Sequence, residues 1–148
     1  MTSTRLHLED LAVGQRFRAG PVEVTRAAIE AFAGQFDPQP FHLDEDAARA
    51  SLFGEQVASG WHTAALTMRL LTECAPIAGG LVGTGGRIEW TRPVKPGDRL
   101  LVEAEIIGVA ASRSRRERGV VEIRVTTSNQ RGETVQRLTA KILAFARP

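Results

Sequence analysis

The chain has 148 residues, 43% of them hydrophobic, enough for one globular core and too few for two ordinary domains, so a single domain over residues 1–148 is expected. With 19 basic and 17 acidic side chains the net charge is +2, too even a balance for a body that binds nucleic acid by charge. The lone cysteine, Cys74, excludes an internal disulfide or a cysteine-bound metal cluster and fits a reducing cytoplasm.

Met1 to Asp10 mixes Arg5, His7, Glu9 and Asp10 with scattered leucines, so no leader and no membrane-crossing run is expected there. Val13 to Phe17, followed by Gly20-Pro21, predicts a turn and a short strand. Thr25 can cap a helix whose apolar stripe is Ile29, Phe32, Ala33 and Phe36, and Pro38 forbids its continuation.

Asp37 then begins Asp37-Pro38-Gln39-Pro40-Phe41-His42, in which two prolines predict an extended, stiff backbone carrying a carboxylate and an imidazole five positions apart. A stiff path lowers the entropy lost in aligning two such groups, and together they can hold one water and move its protons. A polar loop in which Asp37 and His42 only cap backbone groups is the plainer alternative. Asp44, followed by Glu45 and Asp46, predicts the acidic first turn of a short surface helix.

Ser59 to about Ala75 is apolar almost all round, with charges only at Arg69 and Glu73, and predicts a helix buried inside a sheet. Pro76 and Gly79-Gly80 end it. Ile88 and Trp90 then alternate with Arg87, Glu89 and Thr91, and Pro96-Gly97 marks a turn. Leu100 to Ile107, Val120 to Thr127 and Val135 to Phe145 read as strands, with Gly108 and Gly132 in or beside the connections, so the last sixty residues predict an antiparallel meander. The fold class is therefore α+β, an antiparallel sheet of about five strands around one long helix, which is the hot-dog architecture.

Phe32 to Ser51 resembles the hydratase signature of the MaoC-like dehydratases and R-specific enoyl-CoA hydratases. Phe32, Gly34, Asp37, Pro40, His42 and Ala48 meet the pattern, and the likeness continues through Val57-Ala58-Ser59-Gly60 and Trp90 to Asp98. Gln39 stands where the family usually has Asn, and Phe41 where it has an aliphatic residue. The resemblance implies reversible, R-specific hydration of a trans-2-enoyl-CoA, with Asp37 as principal base and His42 holding the water and completing the proton relay. It also implies an oxyanion and substrate-binding set of Gly60, Trp61, Gln39 and Pro40, in which the Gly60 and Trp61 N–H groups at a helix N-terminus face the thioester enolate. Coenzyme A would arrive as part of the substrate, with no resident cofactor, and two chains would pair as a homodimer, assembled further or not.

No membrane or nucleic-acid partner is expected, and the histidines at 7, 42 and 62 lack metal-ligand spacing. His62 reads as a packed, hydrogen-bonded core residue, Arg113 to Arg118 as a solvated hairpin tip, and Gly83-x-Gly85-Gly86 as a bulged strand or flexible entrance, since no dinucleotide motif surrounds it. Two other functions fit the same architecture, a hot-dog thioesterase and an acyl-CoA binding module without turnover. The acid and imidazole both present in the 37–42 loop argue against each.

Overall fold

The computed structural model describes residues 4–148, so the first three residues of the expected domain, and of the N-terminal segment expected to lack a leader, lie outside it. Its elements in chain order are β1 (Arg16–Glu23), α1 (Arg26–Phe36), α2 (Pro40–Leu43), α3 (Glu45–Arg49), α4 (Gly60–Cys74), β2 (Val82–Trp90), β3 (Arg99–Ala111), β4 (Arg118–Ser128) and β5 (Thr134–Phe145). All strands pair antiparallel in one sheet of order β1-β3-β4-β5-β2. The expected fold is thus present. The meander is confined to β3, β4 and β5, while β2 precedes them in sequence and docks on the far side of β5.

The strands form where side chains alternate. Leu100, Val102, Ala104 and Ile106 of β3 point inward, as do Val121, Ile123 and Val125 of β4, while Glu103 and Glu105 point outward to Arg16 and Arg124. Leu70 and Leu71 of α4 join this core. A second cluster of Val24, Ile29, Val94, Leu100 and Val135 anchors the first turn of α1 through Ile29.

Three local expectations are corrected. Gly20-Pro21 does not follow β1 but interrupts it at the register shift between Ala19 and Val22. A Cβ at Gly20, whose φ is +108°, would stand 2.7 Å from the Leu100 carbonyl oxygen, so this approach of two strands admits only glycine. Gly108 likewise lies inside β3, at a shift between Ile106 and Gly108, where a bulge increases the sheet's coil.

The third correction concerns α4, which is buried on one side only. Its buried residues are His62, Thr63, Thr67, Leu70 and Leu71, while Trp61 and Met68 are exposed, because the sheet of one chain covers a single face of the helix. The inward face is also part polar. Gln136, completely buried, donates from Nε2 to Thr67 Oγ1 at 3.0 Å and accepts from Trp90 Nε1 at 3.0 Å, tying helix, sheet and an indole together. Replacing Gln136 by leucine takes the acceptor from Trp90 Nε1 and one of three partners from Thr67 Oγ1, and the unfolding free energy is expected to fall by about 1–3 kcal/mol, read from the urea midpoint.

Candidate active site

Thr25 caps α1 by accepting from the Ala28 N–H at 3.1 Å, and the helix stops where Pro38 follows Asp37. Asp37 is its C-cap, donating its N–H to the Ala33 carbonyl at 2.9 Å. Gln39 is extended, as expected, but Pro40 is not part of an extended run. It occupies the first position of α2, where a missing N–H is no loss.

That turn brings the pair together. A fully extended path over five residues would hold the two Cα atoms roughly 17 Å apart. With the turn, His42 Nε2 lies 3.1 Å from Asp37 Oδ2. Of the predicted substrate-binding residues, Pro40 is exposed and does not line the cavity, so its role is to start this turn.

His42 is buried, and its Nδ1 lies 2.7 Å from the Val57 carbonyl oxygen. A carbonyl only accepts, so Nδ1 carries the proton and Nε2 is left to the chemistry facing Asp37. At 3.1 Å, His42 Nε2 and Asp37 Oδ2 are close enough to pass one proton directly. At the other oxygen, Gln39 Nε2 donates to Asp37 Oδ1 at 2.6 Å. Burial pushes the Asp37 carboxyl up, but hydrogen bonds from Ser59 and Gln39 and the neighbouring His42 outweigh it and hold the group below its ordinary value.

The pair opens onto a cavity of about 430 Å³. Asp37, Gln39, His42, Thr91 and Arg92 are the polar residues that line it, and Phe41, Phe53, Trp61 and Trp90 the aromatic ones. Gly60 lines it as expected, but for an additional reason: a Cβ there would sit 2.6 Å from Cε2 of Trp90, whose indole lies against the backbone. The Trp61 N–H is not free for an oxyanion, because it donates to the Ser59 Oγ cap at 3.2 Å. The Gly60 N–H has no acceptor among the described residues and is left available to donate.

His62 stays outside the site. It stacks on Phe32 with centroids 4.8 Å apart and planes 7° from parallel, and burial pushes its pKa down. The expected hydrogen bond is missing at Nδ1, which is buried without a partner. Arg113 to Arg118 fall in and around the exposed β3–β4 connection, away from the cavity. The sequence places Ser59 at the start of the predicted helix and within the family likeness and assigns it no role, yet it is buried, caps α4 and lowers the Asp37 carboxyl. The signal available was a serine immediately before a helix-starting glycine, which predicts a cap and not a second contact.

The family model described as MaoC like domain matches residues 10–130. The solved structure of a MaoC-like dehydratase from Rhodospirillum rubrum is 56% identical, covers 97% of this chain and 99% of its own, and superposes with a TM-score of 0.94. An R-hydratase from Pseudomonas aeruginosa, solved without ligand, is 29% identical over 97% of this chain and 88% of its own, with a TM-score of 0.76. An uncharacterized protein of Bacillus subtilis is 30% identical over 128 residues, 85% of this chain and 89% of that relative.

Proposed function

Because the chain belongs to the MaoC-like domain family, a hot-dog family with hydratases and dehydratases among its solved neighbours, we propose that it adds water reversibly to a trans-2-enoyl-CoA with R stereochemistry at the β-carbon. The observation that carries this reading is the 3.1 Å approach of His42 Nε2 to Asp37 Oδ2 at a cavity also lined by Phe41, Phe53, Trp61 and Trp90. That arrangement offers a base and an acid on one side of a bound acyl group.

In the hydration direction, Asp37 Oδ2 takes a proton from the water as its oxygen bonds to the β-carbon. The electron pair of the double bond moves toward the thioester, and the Gly60 N–H at the positive end of α4 stabilises the enolate oxygen. His42 Nε2–H gives its proton to the α-carbon. Transfer of the proton from Asp37 back to His42 across the short gap restores the pair, so no net proton is consumed. Gln39 keeps Oδ1 occupied, which directs the base chemistry to Oδ2.

Coenzyme A is read as carrier of the acyl group, with no resident cofactor, and the reaction as cytoplasmic, in keeping with the unpaired Cys74. A homodimer accounts for the exposed side of α4 and for the open β2 edge, since an unpaired strand edge is normally covered. Purified protein given crotonyl-CoA should lower the enoyl absorbance to an equilibrium plateau without releasing free thiol. Thiol release at unchanged hydration level would instead assign a thioesterase, and neither signal would leave a binding module.

A further inference from the structure

Gln56 is 4% exposed, sits in the loop between α3 and α4, does not line the cavity, and makes no hydrogen bond to the Asp37 carboxyl or the His42 ring. Its amide is nevertheless fully engaged. Nε2 donates to the His42 carbonyl oxygen at 2.8 Å and to Glu30 Oε1 at 3.1 Å, while Oε1 accepts from the Arg26 guanidinium. Arg26 and Glu30 stand on α1, the helix that ends at Asp37, and His42 stands on α2. One side chain therefore bridges the element carrying the acid to the element carrying the imidazole.

The next residue adds two more ties. The Val57 N–H donates to the Phe41 carbonyl at 3.3 Å, and the Val57 carbonyl accepts from His42 Nδ1 at 2.7 Å. The backbone on both sides of the imidazole's attachment and the remote ring nitrogen are thus held by the same two-residue segment. Building on the hydro-lyase reading above, we infer that Gln56 is a positioning residue, fixing the Asp37–His42 separation and, through the adjoining Val57 carbonyl, the tautomer of His42. α2 is a single turn and has little stability of its own, so its orientation against α1 depends on ties of this kind from outside the element.

The physical consequence lies in turnover more than in binding. Misplacement of a reacting group by about 1 Å can lower a rate about 100-fold, while the cavity walls that bind the acyl group stay where they are. Gln56→Met keeps the volume and removes every hydrogen bond; Gln56→Glu keeps an acceptor for Arg26, removes both donations and sets a second carboxylate beside Glu30.

The test measures both variants by steady-state kinetics with crotonyl-CoA, by thermal melting, and by 15N spectra of the imidazoles above their titration. The His42 signals are identified by their loss in His42→Gln. Wild type should show His42 locked with the proton on Nδ1. Both variants should lose about 10- to 100-fold in kcat with KM little changed, and their His42 nitrogens should average between tautomers. Wild-type kcat in a folded variant, or a locked ring accompanying a lost rate, overturns the inference. Should Gln56→Met fail to fold, Gln56→Glu retains the Arg26 contact and decides the question. A wild-type protein inert toward enoyl-CoA would remove the hydro-lyase reading, and the ring spectra, which need no turnover, would still decide whether Gln56 sets the imidazole.

Discussion

Asp37→Asn is expected to lower kcat/KM for crotonyl-CoA by about two to four orders of magnitude with the fold intact, the scale for removing a general acid–base group. Asparagine keeps the shape and can still accept from Gln39, so the cavity is preserved while the group that takes the proton from water is gone. The same variant reports on the electrostatics. Because the Asp37 carboxyl is held below its ordinary value of 3.8, the folded state favours the ionised form. That stabilisation is complete above the unfolded value and is lost as the pH falls through the lower folded one. The melting-temperature difference between wild type and Asp37→Asn should accordingly shrink below about pH 4. Retention of most activity would take Asp37 out of the mechanism.

The legible parts of this molecule are those governed by local rules. Thr25 and Asp44 were readable as caps because a short polar side chain before an apolar run satisfies free N–H groups whatever the tertiary setting, and both accept as expected, from Ala28 and Ala47. The end of α1 at Phe36 followed from Pro38, and the strands from alternation. The helical turn at Pro40 was also a local matter, but the same proline that resists a helix interior is favoured at its first position, and the contacts made by the next few residues choose between the two. Here Gln56 and Val57 supply those contacts, to His42 and Phe41, from a distant part of the chain.

Nonlocal partners account for the rest. The pattern of α4 promised burial on all sides, but a hydrophobic helix read alone does not say how much of it one sheet covers. Nor could Gln56 or Gln136 be found as network centres, since a glutamine's donors and acceptors acquire meaning only when Glu30, Thr67 or Trp90 arrives from another element. The Asp37–His42 pair stood out against this background because both members lie within one short segment, so sequence distance and spatial distance coincide.

Gly60→Ala is expected to damage stability and catalysis together, for a reason visible only in the packing. Its Cβ would meet Cε2 of Trp90 at 2.6 Å and Cδ2 at 2.7 Å, well inside contact distance. The indole has little freedom to withdraw, because Nε1 is anchored to the buried Gln136 and the ring packs against Trp61 in a T-shaped pair with centroids 4.9 Å apart. The N-terminus of α4 must therefore shift, carrying with it the Gly60 N–H proposed to stabilise the enolate. Overpacking of this kind destabilises by about 1–3 kcal/mol. A displacement near 1 Å at the oxyanion donor would lower kcat/KM about 100-fold, read alongside a change in tryptophan fluorescence. Trp90→Leu in the same chain frees the space, so part of both losses should return, with a coupling of about 0.5–3 kcal/mol in a double-mutant cycle on unfolding. Strict additivity of the two substitutions would mean that Gly60 and Trp90 do not meet in solution.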